Sequence, residues 1–352
     1  MRGKKSQILI FLFAAVIVVL VARMWYVGLS ATPSAVGSQP GSASVANPPH
    51  LVLGPTSAAS SLGAATALAS ADPAGADGSS GSLSASSAPY YGETNTASSI
   101  FTRIATTTVP ADFQYESYLI RDIVNGVDIA DENQNERWPT ASLTKLMTAT
   151  LVFDHFSTST EITITPQMMA VDPTQVALQV DGTYTVYDLL HAMLMPSNNV
   201  AAEAFADYYG RTNFLAEMNA RAKEWGMSDT HFYDPSGLSS ANESTAHDLA
   251  ILATHVYENY PGIFDISDTP SYTLTNLANG EKRTIESINE FAGTPGFIGG
   301  KTGYIPESRD NLLSLFLYNR KTVLIIVLGA GDTTDRFSDT TKLLDWFTMD
   351  YK

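Results

Sequence analysis

In the stretch WPTASLTKLMTA (Trp138–Ala149), Ser142 and Lys145 stand three residues apart in front of an apolar run. On a helix, residues at that spacing share a face. A serine hydroxyl is a poor nucleophile until a neighbour accepts its proton. A lysine can accept it only when neutral, and at a pKa of about 10.4 fewer than roughly one lysine in a thousand is neutral at pH 7. The amine must therefore be desolvated or lie near a second cation, since both depress its pKa. An apolar helix supplies the first condition. The plain alternative is a helix start capped by Ser142, with Lys145 an ordinary surface lysine.

Two further elements bear on the choice. Ser197-Asn198-Asn199 lies between two helical segments, and Lys301-Thr302-Gly303 lies in FIGGKTGYI at what reads as a strand edge. Each has an ordinary reading, a cap for the first and a turn for the second. Taken together and in this order, S-x-x-K, S-N-N and K-T-G resemble the motif set of penicillin-binding proteins and class A β-lactamases. The longer segments narrow the resemblance. PTASLTKLMTA, SNNVAAEAFADYYG, FLAEMNARAKEWGMSDTHFYDPSGL, STAHDLA, GGKTGYI and VLGAGDTTDRFSDTTKLLDW are similar to those of D-alanyl-D-alanine carboxypeptidases. These are low-molecular-mass penicillin-binding proteins of the serine peptidase type. The similarity runs from about Tyr118 to Trp346.

The resemblance implies an α+β fold of the β-lactamase and penicillin-binding-protein type, with an antiparallel sheet flanked by helices and a helical subdomain. It implies removal of the terminal D-alanine from peptidoglycan stem peptides, with β-lactams as covalent inhibitors and no cofactor or metal. Ser142 would attack the carbonyl of the penultimate D-alanine, Lys145 would be the base, and Ser197 would relay a proton to the leaving amine. Asn199 would hydrogen-bond the substrate backbone. Lys301 would add the second positive charge and attract the terminal carboxylate, which Thr302 would also bind. Gly303 would let the substrate approach closely. The backbone N–H groups of Ser142 and Tyr304 would form the oxyanion hole.

Three departures from the family pattern stand out. The middle element is Ser-Asn-Asn, where many relatives have aspartate last or a small residue in the centre. The loop after Tyr304 reads IPESRDNLL, without the glycine that relatives often carry before the strand. The chain also stops soon after Trp346, so the C-terminal β-domain and anchor of many relatives are not expected, and an N-terminal anchor would replace them. Alternatives within reach are a D,D-endopeptidase of cross-links, a class A-like β-lactamase and a catalytically silent wall-binding module. Glu203 and Glu217 fall inside predicted helices and Glu243 in SANES, so none has the context of a deacylating glutamate.

Other signals are weaker. His247 and His255 share a predicted helix without metal-ligand spacing and read as structural or surface residues. Asp234 in FYDPSGL reads as a turn former with Pro235 and Gly237. Tyr208 and Tyr209 read as core.

The elements that must position these residues follow from the pattern. ESYLIRDIVNGVDIAD reads as two strands turning at Asn125-Gly126. Helical segments follow from Ser142, in TVYDLLHAMLM before Pro196, in NVAAEAFADYYG, in TNFLAEMNARAKEWGM and in TAHDLAILATHVYENY. SYTLTN and KRTIESIN read as short strands. NLLSLFLY and KTVLIIVLGA read as an apolar hairpin through Asn319-Arg320, and DRFSDTTKLLDWF closes the chain as a helix. The two strand-rich ends can pair into one sheet covered by helices.

The 352 residues carry a formal charge of −16, which argues against nucleic-acid binding, and no cysteine, which excludes disulfides. Arg2, Lys4 and Lys5 precede an apolar run from Ile8 to Ala22, extended to Leu29 across Arg23. Residues 1–29 therefore read as a membrane anchor with a cytoplasmic N-terminus, or as a cleaved signal peptide. Both send the rest of the chain across the membrane. Residues 30–112 are rich in Ser, Ala, Gly and Pro and read as a flexible linker with a span of roughly 50 Å. The catalytic domain is expected over 113–352.

Overall fold

A computed structural model describes residues 100–352 apart from Pro173, Gln175 and Val176. The expected membrane segment and most of the expected linker lie outside the described residues. Among the described residues, no helix is long and apolar enough to cross a membrane.

Strands from both ends of the domain build one sheet. β1 (Ser117–Asp122) and β2 (Val127–Glu132) come from its start. β3 (Phe297–Ile305), β4 (Arg309–Tyr318) and β5 (Lys321–Ala330) come from its end. The order is β2-β1-β5-β4-β3, antiparallel throughout, so the first and last strands are neighbours and β3 is an edge. SYTLTN and KRTIESIN stay outside it. Among the described residues their strands, Ser271–Thr275 and Lys282–Glu286, pair only with each other.

Alternation along the strands divides the core. Leu119, Leu313, Leu315, Leu324, Ile326 and Leu328 face the main helical layer. Tyr118, Ile120, Phe316, Val323, Ile325 and Val327 face the opposite side, where the closing helix packs. Successive side chains on a strand point to opposite faces, so a sheet covered on both sides reads as a continuous apolar run, as β5 does.

The helical layer contains α1 (Thr144–His155), α2 (Val186–Leu194), α3 (Asn199–Tyr209), α4 (Arg211–Glu224), α5 (Ala246–Asn259) and α6 (Pro261–Ser267). The closing helix is α7 (Thr333–Asp350). Every residue from Thr144 to Val152 is buried, which is why α1 is apolar on more than one face. Thr185, Thr245 and Asp332 cap α2, α5 and α7 by accepting from backbone N–H groups of the first turn.

The two hairpin turns differ. Asn319 and Arg320 both take positive φ (51° and 65°) between the paired Tyr318 and Lys321, the geometry of a two-residue turn. Asn125-Gly126 does not make such a turn. Asp122 pairs with Val127, which leaves four loop residues, and the Asp122 carboxylate accepts from the Asn125 backbone and side-chain amides at 3.1 and 2.8 Å.

The domain also starts earlier than Phe113. Phe101 is buried and its ring meets Phe347 at 4.8 Å, and Arg103 forms an ion pair with Asp350 at 3.1 Å. Residues 101–112 were expected as linker because they show no periodicity. They are held by contacts to the far end of the chain, which no local pattern records.

Candidate active site

The turn that carries Ser142 is built from distant parts of the chain. Ala141–Leu143 form one turn of 3-10 helix that runs into α1, so the α-helix begins two residues after Ser142. Ala141 has φ 46°, a conformation that costs a non-glycine residue free energy and clusters at functional sites. Two buried asparagines hold it. Asn311 Nδ2 donates to the Pro139 and Thr140 carbonyls at 2.9 and 3.2 Å. Asn242 Nδ2 donates to Thr144 Oγ1 at 3.1 Å, and its carbonyl accepts from Thr140 N at 2.8 Å. Neither the 3-10 turn nor α1 has a side-chain cap, so Ser142 is not a capping residue.

Lys145 is fully buried and its Nζ meets three acceptors: Ser142 Oγ at 2.8 Å, Asn199 Oδ1 at 2.6 Å and the Ser236 carbonyl at 2.6 Å. The chemistry of these partners is decisive. An amide oxygen and a carbonyl can only accept, whereas a hydroxyl can also donate. When the amine is neutral, its two protons satisfy Asn199 and Ser236. Its lone pair is then left to Ser142, the one partner with a proton to give. Burial lowers the Lys145 pKa from 10.5 to about 7, against the opposing pull of Asp234 and Asp172. An amine poised there can act as a base at neutral pH.

A second lysine lies next to the first. Lys301 on β3 is buried, and its Nζ donates to Ser197 Oγ and the Thr302 carbonyl, both at 2.9 Å. Burial, with repulsion from Lys145 and Arg336, holds it well below its ordinary value. Of the two expected contributions to the depressed Lys145, desolvation and a second cation, burial is the largest cause, as it is for Lys301. Ser197 has φ 62°, and the cap of α3 is Asn198, whose side chain accepts from Ala201 N at 2.9 Å. The ordinary reading of Ser197-Asn-Asn therefore holds for Asn198 and leaves Ser197 facing Lys301.

The remaining expected residues fall close by. Asn199 is buried, with Nδ2 donating to Asp172 Oδ2 at 2.8 Å. Thr302 is buried beside Lys301, and Tyr304 is 59% exposed at the end of β3. Gly303 also has a packing role. A Cβ there would meet the protein rather than open space, 3.0 Å from the Thr140 carbonyl and 3.3 Å from Ser142 N. The glycine lets β3 lie against the turn that carries Ser142.

Several site residues escaped the sequence reading. Asp234 makes a turn, as expected, but that turn is part of the site. Its carboxylate accepts from the backbone N–H of Ser236, Gly237 and Ser239 at 2.7, 2.6 and 2.7 Å, which aims the Ser236 carbonyl at Lys145. Gly237 (φ 85°) passes so close that a Cβ would lie 1.8 Å from the Ala141 carbonyl. Gly237→Ala is therefore expected to cost at least about 3 kcal/mol, read as a lowered melting temperature. Arg336 on α7 pairs with Asp310 at 2.7 Å and donates to the Gly303 carbonyl at 3.4 Å, a permanent cation behind β3.

Other candidates lie elsewhere. Glu203 pairs with Arg211; Glu217 with His155 at 2.6 Å and Arg221 at 3.2 Å; Glu243 with Arg137 at 3.1 Å. None of the three is bonded to the Ser142 cluster. His255 stacks on Trp225 at 4.3 Å. Tyr209 packs on Phe156 and Phe214, but Tyr208 is 56% exposed, so the pair is not uniformly core. Among the described residues, no cluster of His, Asp and Glu is arranged to hold a metal ion.

Residues 104–332 match the protein family described as D-alanyl-D-alanine carboxypeptidase. The chain belongs to that family. A D-alanyl-D-alanine endopeptidase of Pseudomonas aeruginosa is 33% identical over 241 residues, covering 65% of this chain and 76% of the relative. The crystal structure of a D-alanyl-D-alanine carboxypeptidase from Mycobacterium tuberculosis superposes with a TM-score of 0.64 at 26% identity, over 69% of this chain and 94% of that one. Penicillin-binding protein D2 of Listeria monocytogenes in its ampicillin-bound form is similar at TM-score 0.57 and 30% identity, over 67% of this chain and 98% of that one. The architecture is accordingly that of penicillin-binding D,D-peptidases, with the β-lactamase-like sheet and helices. The carboxypeptidase family consists of serine hydrolases, and this chain is one of them.

Proposed function

We propose that Ser142 is the nucleophile and Lys145 the acylation base of a D-alanyl-D-alanine carboxypeptidase acting on peptidoglycan stem peptides. The observation that carries this reading is the set of partners around Lys145 Nζ, in which only Ser142 can donate a proton. In acylation, Ser142 Oγ bonds to the carbonyl carbon of the penultimate D-alanine as its proton passes to Lys145. The C–N bond then breaks. The leaving amine takes a proton relayed from Lys145 through Ser197, and free D-alanine departs. Water next attacks the ester, the C–Oγ bond breaks and Ser142 regains its proton.

Binding follows from the same cluster. Lys301, held by Ser197 and Thr302, meets the terminal carboxylate of the substrate, which would restore its charge. Arg336 adds a fixed cation behind it. Asn199 has a second amide hydrogen beyond the one given to Asp172, and it serves the substrate backbone. The backbone N–H groups of Ser142 and Tyr304 form the oxyanion hole. A β-lactam acylates the same serine, and the pairing of Glu203, Glu217 and Glu243 elsewhere supports slow release of that ester. The domain works on the cell-wall side of the cytoplasmic membrane, tethered through residues 1–29.

The endopeptidase relative from Pseudomonas aeruginosa favours a second reading, cleavage of cross-links by the same serine. Incubation of the protein with a pentapeptide and with a cross-linked dimer separates the two. D-Alanine release from the pentapeptide is expected, and cleavage of the dimer alone would overturn the carboxypeptidase reading.

A further inference from the structure

Asn199 is a symmetric-looking amide in a site that needs it one way round. Lys145 donates to it in both protonation states, so the oxygen must face Nζ. Something must hold that orientation through the reaction, because a flipped amide would set N–H groups against the amine. The group on the other end is Asp172, which lies outside all three motif elements. Its Oδ2 accepts from Asn199 Nδ2 at 2.8 Å, and a carboxylate cannot donate. Its Oδ1 is occupied by the Thr174 backbone N–H at 3.3 Å and hydroxyl at 2.6 Å. That local turn aims Oδ2 at Asn199. Further along, Gln179 Nε2 donates to Glu281 Oε2 at 2.8 Å, and Asn276 Nδ2 donates to Gln179 Oε1 at 3.1 Å. Gln179 is thereby tied to the Ser271–Glu286 ribbon.

We propose that Asp172 is a positioning residue for acylation: it locks the Asn199 amide with Oδ1 toward Lys145. This rests on the role given above to Lys145. The carboxylate also acts through its charge. The charged groups around Lys145 are Asp172 from this segment, Asp234 from the turn before α5, Lys301 from β3 and Arg336 from α7. Asp234 and Asp172 favour the protonated amine against its burial, whereas Lys145 and Arg336 act together on Lys301 and hold it low. Removing the Asp172 charge therefore lowers the pH at which Lys145 becomes a base.

The test measures the acylation rate constant with a fluorescent penicillin between about pH 5 and 9, using the full chain. Asp172→Asn keeps the shape and loses both the charge and the acceptor-only character. Its rate is expected to fall about tenfold, as for a misplaced catalytic group, and its acid limb to move down by roughly half a pH unit or more. Thr174→Val keeps the carboxylate and the backbone N–H but removes the hydroxyl that helps to hold Oδ1. It is expected to slow acylation several-fold with the acid limb unmoved, so it carries the orientation claim even if Asp172→Asn lowers stability. A wild type labelled at Ser142 together with an Asp172→Asn profile that superimposes on it would overturn the inference and leave the peptidase reading intact. A wild type that takes no label overturns the peptidase reading, and the inference with it.

Discussion

Replacing Ser142 by alanine is expected to abolish covalent labelling by penicillin and to lower D-alanine release by on the order of 10⁴-fold or more. The loss should come without unfolding. Ser142 caps no helix, and the 3-10 turn that carries it is held by Asn242 and Asn311 through backbone and Thr144 contacts. The hydroxyl's hydrogen bond in the free protein is to Lys145. The melting temperature of Ser142→Ala should therefore stay within about 2 °C of wild type, since a change away from packing and caps is worth little. Labelling that persists in this variant would move the nucleophile elsewhere.

Lys145→Met is expected to slow acylation by about 10³-fold, the usual size of a general-base contribution. Wild-type acylation should rise with pH through about 7 as the amine loses its proton, and that acid limb should vanish in the variant. A stability signature accompanies it. The folded lysine titrates near 7 and the unfolded one near 10.5, so between these values the unfolded chain binds the extra proton. Stability from this group consequently increases with pH across that window and is at its lowest below it. Methionine has no such dependence. It also leaves Asn199 Oδ1 and the Ser236 carbonyl without a donor, at about 1–3 kcal/mol each. Relative to wild type, the variant should thus look worse at pH 10 than at pH 7. Acylation rates over pH and chemical denaturation at the two pH values check both parts. A Lys145→Met protein that keeps the wild-type acid limb would remove Lys145 from the role of base.

Much of this was legible in the sequence because motif chemistry and periodicity are local. Ser142 and Lys145 sit within one turn, and the continuous apolar run of β5 announces a sheet buried on both faces. The Asn319-Arg320 turn was legible for the same reason. What escaped reading depends on the tertiary path. Arg336 reaches β3 only because α7 folds back behind the sheet. Asn242 and Asn311 look like ordinary loop and strand residues until the chain brings both to the Thr140–Thr144 turn. Asp234 was read correctly as a turn former, but nothing local says that its turn points the Ser236 carbonyl at a lysine 91 residues earlier. Asp172 lies outside the motif elements, and its partner Asn199 is 27 residues away. Gly303 also has a packing role that its motif does not announce, since a Cβ there would meet the turn that carries Ser142.

The central claim is an acyl ester on one serine, and the mass of one peptide tests it. Trypsin releases Trp138–Lys145, WPTASLTK, which contains Ser142 as its single serine. After incubation with penicillin and digestion, fragmentation of this peptide should place the added penicilloyl mass on Ser142. An adduct on any other peptide, or none at any pH between about 6 and 9, would contradict the account.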